Sequence, residues 1–429
     1  MEKTGTKEKI SYGLGSMAIT LVNLVFLKYW IEFLGNGIEM EMTDVGIVLM
    51  MGGGAGFLGL LLSGFIIDKT STRWGKARTY LLWMTVPFAL PGILMALLPL
   101  VGGKGAMLYG AVLYMMFLAA QSFLFVSLTS MLGSMAEEES ERVSFGVFYM
   151  LGIGLGVLLS KILNGPVLEQ ISSRGGRSGY VVVTSLCAAA CAGLLLLCFR
   201  NTRERISGKS KGLMPGRGLK AVLTQKNCIL LLVIFIIGYA GVEMQRGLTA
   251  YYVDFCVRDR SIQGSPAELV YFLALPLVFV VMAVMKKYGM KKCFQLGTAV
   301  YCVSMFGLFL KGEAVWMLLL CSTLWRLGVC VMCVSFLVMA AKSLDILEVR
   351  KGIRPGGLLI VMILLGRRLA GGIAASLMGT ILAQGGYNPM DSRPADTVLG
   401  AVRAGVTWVP LLFLAVCGVL SLFCSLDRD

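Results

Sequence analysis

Residues 46–78 read GIVLMMGGGAGFLGLLLSGFIIDKTSTRWGKAR. From Gly46 to Ile67 no side chain is charged, and about 20 such residues in a helix cross the ~30 Å hydrocarbon core of a bilayer. Asp68 and then Lys69, Arg73, Lys76 and Arg78 follow at once, as expected where a span leaves the membrane on its basic, cytoplasmic side. The rest of the chain repeats this pattern. Of its 429 residues 57% are hydrophobic, 53 are glycine and 15% are charged, whereas soluble domains carry about 25% charge. A soluble fold is excluded. Histidine is absent, which removes the commonest general base, the Ser/His and Cys/His nucleophile pairs and the usual imidazole metal ligand. No enzyme, cofactor or metal centre is expected.

Apolar runs broken by charged or Gly/Pro clusters predict twelve helices, over 10–34, 42–67, 79–101, 106–134, 143–165, 180–199, 227–251, 267–285, 294–311, 315–340, 357–385 and 405–425. Lys3, Lys7 and Lys9 precede the first run and no small-residue cleavage site follows it, so it reads as a retained helix. The fold class is all-α and polytopic. Residues 1–199 and 227–429 form two six-helix halves, joined by a basic linker, 200–226, whose only acid is Glu204.

The N-terminus, the loops on its side and the tail hold 25 of the 39 Lys and Arg; the opposite loops hold eight and the spans six. By the positive-inside rule both termini and the linker face the cytoplasm. The net charge of +15 is therefore mainly an orientation signal, and no nucleic-acid partner is implied. The twelve cysteines all follow residue 186, mostly within spans. Cys330-x-x-Cys333 lies in an apolar run without a second pair, so packing, not redox or metal chemistry, is the expected role.

The loop after span 2, GFIIDKTSTRWGKAR, has a shortened echo, MKKYGMKK, after span 8. Two six-helix halves related in this way describe the major-facilitator architecture, with a substrate site near the midplane between halves. Three segments, SYGLGSMA at 11–18, GFIIDKTSTRWGKAR at 64–78 and SMLGSMAEEESERVSFG at 130–146, resemble the glycoside-pentoside-hexuronide cation symporters. AAKSLDILEVRKGIRPGG at 340–357 resembles that family's acidic loop. The resemblance implies a cation-coupled secondary transporter of a carbohydrate or uronide, in a bacterial cytoplasmic membrane and acting by alternating access.

Anchored on Gly64 and Trp74-Gly75, the family's two cation-binding carboxylates fall on Gly56 and Leu60 and a nearby arginine on Gly53. Its sugar-binding aspartate falls on Thr20, a span 4 polar position on Phe125, a second arginine on Met150, the span 10 aromatic on Cys333, and the span 11 lysine on Arg368. A sodium site needs several converging oxygens, which GGGAGFLGLLLSG cannot supply; its glycines suit close helix approach. Coupling to Na+ or H+ is left open.

Charges inside spans are costly and face a polar space or a partner. They are Lys28, Lys161, Glu243, Arg246, Arg326, Arg367 and Arg368, and their positive excess suits an anionic small-molecule substrate. Glu243 and Arg246, three apart on one helix face, can pair; Glu243 is the carboxylate best placed to carry a proton. The expected substrate-binding residues are Thr20, Asn23, Gln121, Glu243, Arg246, Tyr251 and Arg368; Tyr29, Trp30 and Tyr149 are candidate stacking faces for a sugar ring, but aromatics at helical spacing more often serve the core or the interface belt. Arg367 and Arg368 point about 100° apart, so at most one is expected to face the cavity; the resemblance, which places the family's span 11 cation on Arg368, favours that one. Asp68, Arg73, Arg142, Asp345, Glu348 and Arg354 are expected to close an inner gate through ion pairs between halves. Membrane lipids are the other expected partners, and the protein is expected to be a monomer. Other readings are a non-transporting carrier-derived sensor or scaffold, and an exporter or lipid carrier with an apolar site.

Overall fold

The computed structural model describes residues 5–101, 103–173, 177–206, 215–253, 255, 279, 282–311, 314–387 and 396–424. Their regular structure is helical, apart from an isolated bridge between Thr72 and Gly75. In order the helices are α1 (Thr6–Glu32), α2 (Met42–Lys69), α3 (Arg78–Trp83), α4 (Thr85–Leu94), α5 (Leu98–Val101), α6 (Gly103–Met135), α7 (Glu139–Ile162), α8 (Leu168–Ser173), α9 (Arg177–Asn201) and α10 (Pro215–Leu223). They continue with α11 (Lys226–Tyr252), α12 (Met290–Lys311), α13 (Val315–Lys351), α14 (Gly356–Gln384) and α15 (Asp396–Leu422). Eleven helical stretches among the described residues are long and apolar enough to cross a membrane. Most of the twelfth expected span, 267–285, lies outside the described residues.

Local chemistry explains where the helices depart from the expected runs. The third span is one apolar stretch, Arg78–Leu97, broken at Met84 between α3 and α4. Pro87 there has no N–H to offer the Trp83 carbonyl, and Pro91 repeats the defect within α4. α13 does not stop at 340 but runs to Lys351, because Leu344 and Leu347 keep an apolar face buried through its last turns. At 1.5 Å per residue its 37 residues reach about 55 Å, well beyond the hydrocarbon thickness. α15 begins nine residues before the expected start, with Asp396 in the first turn where a helix N-terminus favours an anion. Arg403 is therefore a helical residue, not a loop one.

The chain packs into two compact units, Met1–Leu219 with Gly352–Val361, and Lys220–Lys351 with Met362–Asp429. In the first, α1 lies between α7 and α9, α2 lies along α6, and α4 packs on α6 and α9. In the second, α11 and α12 pack on α15 and α12 lies along α13. Span 1 on span 6, 3 on 6 and 3 on 4 thus recur as 7 on 12, 9 on 12 and 9 on 10, the internal repeat that the loop echo suggested. Small residues set the closest approaches. A Cβ on Gly59 of α2 would stand 2.9 Å from the Cα of Ala119 in α6, and a side chain at Gly152 of α7 would strike the Gly13 backbone and Ser16 of α1.

Candidate functional site

The first unit presents an apolar face where the family resemblance would place carboxylates. Gly56 packs so closely that an added Cβ would lie 3.2 Å from the Leu118 Cβ, and its carbonyl accepts from Ser122 Oγ at 2.8 Å. Leu60 is buried. These glycines hold α2 against α6, and among the described residues no three Cys, Asp or Glu side chains converge. Thr20 and Asn23 on α1 and Gln121 on α6 are half-buried. Tyr29 and Trp30 are fully buried and Tyr149 nearly so. Trp30 stacks between Phe26 and Tyr114, Tyr29 donates to the Leu163 carbonyl, and Tyr149 lies against Tyr12. Of the two roles open to these rings, their burial and ring contacts match core packing.

Polarity gathers instead in the second unit. Glu243 and Arg246 of α11 form an ion pair at 2.5 Å, with the carboxylate side chain 16% and the guanidinium 68% exposed. One turn earlier, Tyr239 hydrogen-bonds Glu243 and lies within electrostatic reach of Arg246 and of Arg367 from α14. The Arg367 guanidinium stands 5.1 Å from the Tyr239 ring centre, a cation–π distance, and lies near Cys333 of α13. Arg367 and Arg368 are both exposed, and as helix neighbours they project about 100° apart. It is Arg367 that lies at the Tyr239 ring. Tyr251 packs in a three-ring group with Phe255 and Tyr387, centroids 5.7 to 5.9 Å apart, five residues beyond Arg246.

Two other in-span charges find local partners. Lys28 donates to the Asn164 carbonyl at 2.8 Å, in the π turn Leu163–Val167 that ends α7. Arg326 lies 5.0 Å over the neighbouring Trp325 ring.

The expected gating residues behave differently from loop charges. Asp68 lies in the last turn of α2 and is 5% exposed. Its two oxygens accept from the backbone N–H groups of Gly357 and Leu358 at 2.8 and 2.9 Å. These are free donors of the first turn of α14, so Asp68 caps that helix from another part of the chain and places its charge at the positive end of the dipole. The approach requires small residues, since a Cβ on Gly64 would meet the Gly357 carbonyl and Val361. Arg354 reaches the Gly133 carbonyl at 2.9 Å and Arg142 the Ala136 carbonyl at 2.8 Å; both are buried. Arg73 is exposed, 4.6 Å over the Trp74 ring. Asp345 and Glu348, in the last two turns of α13, are half-buried. The bonds of Asp68 to α14, of Arg354 to Gly133 and of Arg142 to Ala136 all run to backbone groups, because burial rewards saturation of peptide N–H and C=O.

Glu204 was legible only as the sole acid of the linker, yet its carboxylate accepts from the backbone N–H of Lys76 at 2.9 Å and of Arg78 at 2.6 Å. The turn it binds needs Gly75, whose φ is +113° and whose Cβ, if present, would lie 2.7 Å from that carboxylate. Burial pushes the Glu204 carboxyl above its usual value while the backbone donors pull it down. Beside it, Arg205 holds Glu8 through paired bonds of 2.9 and 2.8 Å, and Lys9 pairs with Glu141 at 2.8 Å.

Eleven described apolar spans, a packing pattern repeated between the two units and a small charged cluster on α11 and α14 define a polytopic membrane carrier. The family described as MFS/sugar transport protein matches residues 11–428, and the chain belongs to it. It is a secondary transporter, not an enzyme. The isoprimeverose transporter of Lactiplantibacillus pentosus is 24% identical over 98% of this chain and 89% of its own length. The glucuronide carrier protein homolog of Escherichia coli is 23% identical over 96% and 91%. Among solved structures, the E. coli fucose:proton symporter superposes with a TM-score of 0.68, at 12% identity and 98% coverage of both chains. A proton:xylose symporter superposes with a TM-score of 0.66, at 12% identity and coverage of 98% and 95%.

Proposed function

We propose that the protein carries a small anionic sugar, of the uronide type, across a bacterial cytoplasmic membrane by alternating access coupled to a cation. The observation that supports this most is the arginine-rich cluster of Tyr239, Glu243, Arg246 and Arg367 in otherwise apolar spans. A guanidinium exposed within a span and turned to lipid would be expensive, so Arg246 faces a polar space. Arginine matches a carboxylate bidentately. The relatives include a glucuronide carrier homolog as well as an isoprimeverose transporter, so charge preference is the feature to test. In the first unit Thr20, Asn23 and Gln121 carry the hydroxyl and amide groups suited to a sugar, and in the second the ring of Tyr251 offers an aromatic boundary. The basic loops support cytoplasmic termini.

Uptake of methyl β-D-glucuronide and of isoprimeverose into proteoliposomes tests the reading. Loss of one charged contact worth about 1.4 kcal/mol raises half-saturation about ten-fold. Arg367→Gln should do this for the glucuronide and should weaken uptake more than Arg368→Gln. Preference for isoprimeverose that is unchanged in Arg367→Gln and Arg246→Gln would refute an anion site here.

A further inference from the structure

We infer that Glu243 is the coupling group, and that the coupled cation is a proton taken up only when a substrate anion displaces the carboxylate from Arg246. The inference rests on the anion reading of the same cluster. Its physical basis is competition for one guanidinium. Arg246 is already neutralised by Glu243 at 2.5 Å, yet it remains 68% exposed and open to a second anion, whereas the carboxylate is 16% exposed and held by Tyr239. An arriving carboxylate takes Arg246 as its partner. Glu243 is then a poorly solvated anion beside another anion, a situation that strongly favours protonation.

The charges around Glu243 make sodium a poor alternative. On its own helix it faces Tyr239 and Arg246, and α14 brings Arg367, with Cys333 of α13 behind that guanidinium. α15 packs Pro410 and Phe413 against Gly241; its in-span cation, Arg403, lies two turns nearer the helix start. A metal ion would thus meet one carboxylate and two guanidiniums, where hard cations need several oxygens. A proton needs one.

The step balances simply. One proton from the medium forms an O–H bond on Glu243 as one monoanion pairs with Arg246; on the opposite side the anion leaves, the proton leaves, and the Glu243–Arg246 pair re-forms. One proton moves with one negative charge, so transport of a monoanion is electroneutral.

The test uses the full chain in proteoliposomes with methyl β-D-glucuronide, reading gradient-driven uptake relative to equilibrium exchange. A pH gradient that is acid outside should raise this ratio at least ten-fold, with no response to a sodium gradient or to membrane potential. Glu243→Gln should bring the ratio to about one, and Glu243→Asp, which keeps a titratable group, should restore part of it. Accumulation that survives Glu243→Gln, is driven by sodium alone, or follows the membrane potential overturns the proton inference while leaving the anion site standing. Wild-type protein that exchanges no glucuronide overturns the anion reading, and this inference with it.

Discussion

Replacing Asp68 by alanine is expected to release the start of α14. In the wild-type protein the two carboxylate oxygens accept from Gly357 and Leu358 at 2.8 and 2.9 Å, and the side chain is almost wholly buried. A hydrogen bond to a charged group contributes about 1.5–3 kcal/mol, so even the lower figure gives about 3 kcal/mol for the pair. Alanine also leaves two first-turn N–H groups without an acceptor in a buried place. At 1.4 kcal/mol per decade, 3 kcal/mol shifts the equilibrium between docked and released segments about 150-fold. Hydrogen exchange of peptides covering residues 352–361 reads this directly, with an increase of up to that factor in Asp68→Ala. Asp68→Asn keeps one carbonyl oxygen and loses the charge, so about half the energy and an increase of about ten-fold are expected. If exchange in Asp68→Ala stays within two-fold of wild type while the other helices keep their protection, the cap does not hold the segment.

Two further outcomes follow from the first unit. The Glu204 carboxyl is raised by burial, so the folded protein holds its proton more tightly than the unfolded chain does. The associated stability is fullest below the unfolded value of about 4.5 and is lost as pH rises through the folded one. The difference in Tm between wild type and Glu204→Gln should therefore shift against wild type as pH rises from about 4.5, and a shift in its favour would mean that the backbone donors outweigh burial. Gly56→Asp introduces a carboxylate where the family resemblance would place one, but its Cβ must enter a space 3.2 Å from Leu118. Overpacking costs about 1–3 kcal/mol; a lower Tm and uptake still insensitive to sodium are expected, and a gained sodium dependence would contradict the packing role of this glycine.

Much of the fold was legible because the bilayer imposes a simple rule: runs of about 20 apolar residues become helices. The rule failed at run ends. The run expected at 405–425 left Arg403 outside, but a flexible basic side chain near the end of a span does not stop a helix, and Asp345 and Glu348 sit on the continuing amphipathic face of α13. The site was legible in part. Glu243 and Arg246 were found by their i,i+3 spacing, because helix geometry alone brings them together. Arg367 and Tyr239 were not paired in advance, since their contact depends on the rotation of α14 against α11. Glu204 gave only a faint signal, its isolation among basic residues, since its donors lie about 125 positions away in a turn that depends on Gly75.

The amino-acid sequence by itself determined that this chain lives in a membrane and the order in which its spans follow one another, since these depend on local hydrophobicity and charge. It also determined that span 2 carries no charged side chain from Gly46 to Ile67. Tertiary structure alone decided the packing and the partners of the charged groups. Helix rotation brought Arg367 to the Tyr239 ring. Close packing through Gly56 and Gly59 closed this face of α2 against α6. Burial turned Asp68 and Glu204 from surface acids into acceptors for distant backbone N–H groups, because a carboxylate removed from water must find donors wherever the fold brings them.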